Sequence, residues 1–331
     1  MTTTIPVTLL FSDGVAHRLS VPCGGRLIEA ATEAGLNLLT DCSNGQCGTC
    51  TAQLVSGSVD MDDYDTSVLP DEDRESGTVL PCVCRVNSAC AIEMPYESAE
   101  AMAEEPDPIT AEVTGVEQVA SETFRLEVKV DDALVFEPGQ YVRIQPEGSD
   151  FHRSYSMANV PGTDRLQFFI RLVPDGAFSQ WLATAKAGDR VELSAPHGTF
   201  FLRDEERPRL FVAGGTGVAP FLSMLRSMAA HPPKHRTTVL IGARTAGHLF
   251  AMDELNALKD ELKSVDLQFA VEQEAQSGCH QGFATDLIPQ LGLDPTTRVY
   301  LCGPPPMVEA GRRAAEAAGL KRADVLCERF T

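Results

Sequence analysis

Apolar and polar positions keep a different rhythm in successive parts of the chain. From Val7 to Phe11 and from Ala16 to Ser20 they alternate around Ser12-Asp13-Gly14, a hairpin signal in which the glycine supplies the positive dihedral of the turn. Between Arg26 and Ala34 the period lengthens. Leu27, Ala30, Ala31 and Ala34 share one helical face, and Gly35 stands where a left-handed cap is usual. Further strands are expected at Thr51 to Val55, Val79 to Val86 and Ala91 to Met94, so this first part reads as mixed α and β. Glu97 to Pro108 breaks the pattern: acidic, alanine-rich and ending in Pro-Asp-Pro, it reads as an extended linker that tethers one unit beside the next.

Beyond the linker, short runs with period two recur at Ala111 to Val116, Thr123 to Val130, Tyr141 to Gln145, Arg153 to Met157, Leu166 to Leu172 and Arg190 to Leu193. Pro138-Gly139, Pro161-Gly162 and Pro174-Asp175-Gly176 punctuate them, which predicts an antiparallel barrel. After Pro208 apolar strands alternate with helices: Arg209 to Ala213 then Val218 to Ala229, Thr237 to Gly242 then Asp253 to Lys263, Leu267 to Val271 then Phe283 to Gln290, and Val299 to Cys302 then Met307 to Ala318. Repeated units of this kind specify a parallel sheet covered on both faces. The expected domains are 1–98, a linker 99–108, 109–203 and 208–331, and 331 residues is more than one core usually carries.

Charge narrows the partners. A net charge of −20 argues against nucleic acid or an anionic membrane surface. Asp60, Asp62, Asp63, Asp65, Asp71, Glu72, Asp73 and Glu75 form an acidic run that reads both as a solvated face and as a steering surface for a basic redox partner. No early stretch has the basic start and apolar run of a signal peptide, and no run is long enough to cross a bilayer. Ten cysteines in that setting fit a reducing compartment, so a cytoplasmic location is expected.

The cysteine spacing brings chemistry into the picture. Cys42, Cys47 and Cys50 crowd the loop Asp41-Cys42-Ser43-Asn44-Gly45-Gln46-Cys47-Gly48-Thr49-Cys50, and Cys82 follows at a distance. C-x4-C-x2-C with a later single Cys is the plant-type pattern for a 2Fe-2S cluster. Zinc is the other metal for four thiolates, but structural zinc sites normally pair two short C-x2-4-C knuckles, and Cys82-Val83-Cys84 has one intervening residue. Gly45 and Gly48 let backbone amides turn toward bridging sulfides. Cys84 remains an alternative to Cys82 as the fourth ligand.

With these residues in view, the chain resembles the reductase components of multicomponent ring-hydroxylating dioxygenases, especially the benzoate and anthranilate type, and similar reductases of soluble diiron monooxygenases. The resemblance implies a β-grasp ferredoxin domain, an antiparallel flavin-binding barrel and a parallel α/β nicotinamide-binding domain. Arg153-Ser154-Tyr155-Ser156 resembles the family's R-x-Y-S flavin signature. A guanidinium can pair a flavin phosphate, an aromatic can pack on the isoalloxazine, and a hydroxyl can bond to the ring edge. Gly176-Ala177-Phe178-Ser179 opens a helix whose N-terminus is suited to the pyrophosphate, with Gly176 and Ser179 as contacts; the plainer alternative makes Ser179 a cap. Gly214-Gly215-Thr216-Gly217-Val218-Ala219-Pro220 resembles the family's nicotinamide loop. Cys302-Gly303-Pro304-Pro305-Pro306-Met307 resembles its C-G-P-x-x-M segment, which places Cys302 near the point of hydride transfer without making it a nucleophile. The terminal run Val325 to Phe330 looks like the family's last strand, with Phe330 covering the flavin.

The resemblance implies FAD rather than FMN, NADH as donor, and electron flow from NADH to FAD to the cluster and on to a Rieske-type terminal oxygenase. A diiron hydroxylase as acceptor is the alternative, and a non-catalytic iron-sulfur sensor the remote one. The preference for NADH rests on Phe269-Ala270-Val271-Glu272-Gln273-Glu274. Relatives that take NADPH carry Ser and Arg where Glu272 and Gln273 stand, and a carboxylate accepts from ribose hydroxyls but repels a 2'-phosphate. Arg244 is the residue that argues the other way.

Overall fold

The computed structural model describes residues 3–40, 42–66, 68–102, 106–273 and 276–330, so Asp41 of the cysteine loop and Glu274 of the nucleotide motif lie outside the described residues. The chain divides into two compact units, one running to residue 105 and the other over 106–330.

The first unit is a five-stranded sheet in the order Ala16–Pro22, Thr4–Leu10, Cys90–Glu93, Ala52–Ser56, Thr78–Val79. The first two form the expected hairpin, and Thr4–Leu10 runs parallel to Cys90–Glu93 on its other side. Helix Leu27–Glu33 buries Leu27, Ala30 and Ala31, the face its spacing predicts, in a core with Val7, Leu9, Val21 and Ile92. This is a β-grasp.

Two expectations change here. Val79 to Val86 is not one strand: Thr78–Val79 belongs to the main sheet, Pro81–Val83 forms a 3-10 turn, and Cys84–Val86 pairs with Val59–Met61 in a separate ribbon. Pro81 has no N–H to give a ladder, and the break it makes is what turns Cys82 aside. The start of the expected linker is helical. In Ser98–Met102, Ala101 is buried, and the Ser98 hydroxyl donates to Asp13 Oδ2 at 2.6 Å, closing the helix onto the hairpin turn.

The second unit contains both remaining sheets. Six antiparallel strands in the order Arg153–Ser156, Tyr141–Pro146, Arg190–Leu193, Ile109–Ala120, Thr123–Leu134, Thr163–Arg171 turn Val113, Leu126, Val128, Ile144, Phe168 and Ile170 into one core, making a half-barrel. The parallel sheet runs Cys279–Gln281, Val265–Val271, Thr237–Ala243, Arg209–Gly214, Arg298–Gly303, Val325–Arg329. Alternate residues of its strands feed cores on opposite faces, Phe211 and Ala213 into one, Leu210 and Val212 into the other. The expected helix Phe283 to Gln290 is a 3-10 helix, Ala284–Gln290, because Pro289 lies inside it and removes an α-helical donor.

The half-barrel packs on the sheet's helix Val218–Ala230. Ala158, Phe169 and Phe200 join the core under that helix, and hydrogen bonds fix the contact. Ser223 Oγ donates to Asn159 O at 2.7 Å, and Arg226 donates to Ala158 O at 2.6 Å and Gln167 Oε1 at 3.0 Å. At the far edge Glu205 accepts from Arg298 through both carboxylate oxygens and from Arg207 at 2.8 Å. Arg298 above all, against the opposing cost of burial, holds the Glu205 carboxyl down at about 2. Because the folded value lies below the ordinary 4.5, the contribution is complete above pH 4.5 and is lost as pH falls towards about 2. Urea midpoints of Glu205→Gln and the parent protein should therefore converge across that window. A gap independent of pH would show that the ionised carboxylate is not its source.

Candidate active site and cluster cradle

The cysteine loop is shaped by left-handed residues. Ser43, Gly45 and Gly48 have φ of 55°, 77° and 80°, which wraps the backbone back on itself. Gly45 is required, since a Cβ there would lie 2.6 Å from Tyr64 Cβ. Within the wrap, the amides of Gln46 and Cys47 each point at Cys42 Sγ from 3.3 Å. Cys47 interacts with Cys42, and Cys82 interacts with both Cys42 and Cys50. Among the described residues no group of three or more His, Cys, Asp or Glu is placed to hold a single metal ion. Four thiols supplied by two chain segments are the donor set that a 2Fe-2S cluster takes.

The electrostatics fit the same group. Contact with Cys42 and then burial push the Cys47 thiol far up. At Cys82 the bond with Cys42 pulls down, but the bond with Cys50 and burial outweigh it and leave the thiol at about 12. Thiols packed like this become thiolates when cations sit among them, which is what iron supplies. Arg26 adds a fixed positive group, donating to Cys82 O at 2.7 Å and reaching Ser43 O at 3.5 Å. Asp62 links it to Arg85, and the Arg85 bond is the main reason that the Asp62 carboxyl is held down. Cys84 is a different kind of residue. Fully buried, it belongs to the main core with Val86 and Cys90, while Cys82 clusters with Cys50, Leu69 and Leu80. Burial alone is the chief reason that its thiol lies at about 12.

In the half-barrel, Arg153–Ser156 is an edge strand, antiparallel to Tyr141–Pro146. Alternation puts Arg153 and Tyr155 on one face and Ser156 on the other. Arg153 is exposed and donates to His152 O, and the Tyr155 ring lies 4.9 Å from that of Phe178. Burial pushes the Tyr155 phenol up, so it stays neutral. Gly176 is the N-cap of helix Ala177–Leu182 and has no side-chain cap bond. Ser179 is not the cap: its Oγ accepts from Val173 N at 2.8 Å and holds the preceding loop. A guanidinium, an aromatic pair and an uncapped helix start are the groups that a flavin dinucleotide uses.

The parallel sheet has its switch point between Arg209–Gly214 and Arg298–Gly303, where strand order reverses and α/β ligands bind at the carboxyl ends. Gly214 ends one strand and Gly215–Gly217, with Thr216 between them, form the 3-10 turn that follows, while Cys302 and Gly303 end the other strand. The glycines there do different jobs. A Cβ on Gly217 would lie 2.2 Å from Cys302 O, and one on Gly303 would lie 2.9 Å from Gly214 N and O, so these glycines let the two strand ends close on each other. Gly215, at φ 54°, faces open space, leaving its side of the turn for a pyrophosphate.

The two sheets meet at a residue that sequence reasoning missed. Strand register sets Glu328 opposite Cys302. Ser156 Oγ donates to Glu328 Oε2 at 3.1 Å, and Cys302 Sγ lies 3.8 Å from the same oxygen. Burial and then the Glu328 charge push the fully buried Cys302 thiol well up, so it stays protonated. Phe330 N donates to Gly303 O at 2.9 Å, setting the ring two residues beyond Glu328. The available signal was an acid placed between Cys327 and Arg329 in a short last strand. Glu272 follows Val265–Val271, its amide donating to Ala243 O at 3.1 Å, which places its exposed side chain at the sheet's carboxyl edge.

Comparison with known proteins agrees module by module. Residues 10–87 match the 2Fe-2S iron-sulfur cluster binding domain, 110–202 the oxidoreductase FAD-binding domain, and 211–313 the oxidoreductase NAD-binding domain. The chain is 34% identical to the toluate 1,2-dioxygenase electron transfer component of Pseudomonas putida, over 97% of this chain and 96% of that protein. It is 34% identical to the anthranilate 1,2-dioxygenase electron transfer component of Acinetobacter baylyi, over 98% and 96%. Methane monooxygenase component C of Methylosinus trichosporium is 37% identical over 77% and 78%. Among solved structures, the Amycolatopsis cytochrome P450 reductase GcoB superposes with a TM-score of 0.73 at 30% identity, covering 98% of this chain and 99% of that one. The chain belongs to the family of oxygenase electron transfer components, oxidoreductases in which a 2Fe-2S domain is joined to FAD- and NAD-binding domains.

Proposed function

We propose that this protein takes electrons from NADH and delivers them to the Rieske-type oxygenase component of an aromatic-ring dioxygenase. The observation that carries the reading is the meeting of Ser156 and Cys302 on Glu328 Oε2, which joins the flavin strand to the nucleotide sheet at one point. When bound, FAD accepts two electrons together from NADH and releases them singly to the 2Fe-2S cluster.

The chain's own part is placement. Gly215 leaves room for the nucleotide pyrophosphate, and Arg153 and the start of helix Ala177–Leu182 hold the flavin phosphates. Cys302, kept as a neutral thiol, packs at the nicotinamide end, and Glu328 fixes it and Ser156 from one oxygen. Phe330, set by its bond to Gly303, would cover the flavin ring. Cys42, Cys47, Cys50 and Cys82 hold the cluster within residues 1–98, while 109–203 and 208–331 carry the flavin and the nucleotide. Among the described residues no helix is long and apolar enough to cross a membrane, and the cytoplasm supplies both NADH and reduced thiols.

A diiron hydroxylase as acceptor is the second reading, favoured by the 37% identity to a methane monooxygenase component. Reconstitution with each kind of oxygenase separates them: aromatic dihydroxylation driven by NADH is expected, and turnover only with a diiron hydroxylase would replace the first reading with the second. Cytochrome c reduction should favour NADH over NADPH in catalytic efficiency, with Glu272→Ser gaining NADPH use. Equal or better efficiency with NADPH would overturn the donor assignment.

A further inference from the structure

Arg244 is the group best suited to capture a 2'-phosphate. It follows Thr237–Ala243, the strand beside Arg209–Gly214, and Gln273 N donates to its carbonyl at 2.9 Å. It therefore stands at the same carboxyl edge as the glycine loop and Glu272. In dinucleotide folds an arginine near this edge is what accommodates NADP. Read alone, it points toward NADPH.

The structure shows what holds it. Arg244 Nη2 donates to Glu122 Oε1 at 2.8 Å, and Glu122 comes from the half-barrel, in the turn between Ile109–Ala120 and Thr123–Leu134. The same Nη2 lies 2.7 Å from His248 Nε2, and Thr245 Oγ1 lies 2.7 Å from His248 Nδ1. An arginine can only donate, so His248 Nε2 faces the guanidinium while Nδ1 faces the Thr245 hydroxyl. The second carboxylate oxygen of Glu122 lies 3.8 Å from His248 Nε2. The guanidinium is thus held between a carboxylate and an imidazole.

Backbone contacts fix the turn that carries Glu122. Ser121 N and Ser121 Oγ both donate to Gly247 O, at 2.9 and 2.8 Å, and Leu172 N donates to Glu122 O at 2.8 Å. A Cβ on Gly247 would come within 2.8 Å of Ser121 Oγ, so the two loops are in contact. The Arg244 bond is also the leading reason that the Glu122 carboxyl is held below its ordinary range.

We propose that Glu122 is a specificity-determining residue for the nucleotide, a flavin-domain carboxylate that occupies Arg244 and so denies a 2'-phosphate its guanidinium. The inference rests on the NADH reading above and deepens it. Glu272 repels the phosphate from the nucleotide domain's own strand; Glu122 removes its partner from the neighbouring domain. Specificity then comes both from a repulsive charge and from the withdrawal of an attractive one.

The test compares the parent protein, Glu122→Gln and the double variant Glu122→Gln/Arg244→Gln. Steady-state rates are measured with NADH and NADPH, and binding of adenosine 2',5'-bisphosphate and of 5'-ADP is measured by calorimetry. The pair is half-exposed, so the effect is moderate: Glu122→Gln should raise NADPH catalytic efficiency about fivefold, through KM rather than kcat. NADH efficiency should stay within about twofold under the same reasoning. Adenosine 2',5'-bisphosphate should bind more tightly by the same factor, with 5'-ADP unmoved, and the double variant should lose both gains. An unchanged NADPH-to-NADH ratio, an equal loss with both nucleotides, or a gain that survives removal of Arg244 would overturn the proposal. Ligand binding reports on Glu122 without turnover, so this inference and the reading of the enzyme fail separately.

Discussion

Cys82→Ala protein is expected to purify yellow rather than red-brown, with flavin retained and most of its iron and labile sulfide gone. Cys82 interacts with both Cys42 and Cys50, and its turn comes from a different chain segment than the other three. Removing it leaves the loop cysteines facing an apolar wall of Leu69, Leu80 and Val83. NADH-dependent reduction of ferricyanide, taken directly from the flavin, should persist, while reduction of the oxygenase component falls to background. Cys84→Ala should do the reverse. It keeps the cluster and costs about 1 kcal/mol by leaving a small cavity in the main core, seen as a lower urea midpoint. Iron per flavin in the two variants decides: iron kept in Cys82→Ala and lost in Cys84→Ala would move the fourth ligand to Cys84.

Gly217→Ala is expected to cost about 3 kcal/mol and to cut NADH-dependent turnover more than about tenfold, while cluster content is unaffected. The added methyl would lie 2.2 Å from Cys302 O and 2.6 Å from Cys302 C, and a carbonyl in a parallel ladder cannot swing away as a side chain end can. The strand ends would have to part, displacing Cys302 from Glu328 and opening the nucleotide crevice. Gly215→Ala is the control. Its Cβ meets nothing, so only the left-handed backbone, at φ 54°, is charged, about 1 kcal/mol. Thermal midpoints of the two variants measure the difference. Equal midpoints would mean that the strand ends do not approach as closely as described.

Much of this fold was legible in the periodicities because each element's burial pattern is written locally. Leu27, Ala30 and Ala31 bury the helical face their spacing predicts, and Arg209–Gly214, buried throughout, reads as an inner parallel strand. The misreadings have local physical causes. Pro81 splits what its apolar neighbours make look like one strand, and Pro289 tightens an expected α-helix into a 3-10 turn. Ser98–Met102 looked like linker because its burial depends on Asp13, far away in sequence. The same limit hid parts of the site. Glu328 matters through Ser156 and Cys302, and Glu122 through Arg244, and no spacing rule joins residues so distant. Arg244, judged by its own neighbourhood, points toward a 2'-phosphate, and its bond to Glu122 is visible only in the fold.

Arg26 bears on how the cluster is put in. Its guanidinium reaches carbonyls in both segments that supply thiols, Ser43 beside Cys42 and Cys82 itself. A tie between the two segments made by protein groups alone spends part of the ordering entropy in folding rather than at the moment of metal capture. Iron and sulfide delivered by an assembly scaffold would meet a receiving pocket instead of two loose ends, and maturation becomes a transfer between shaped surfaces.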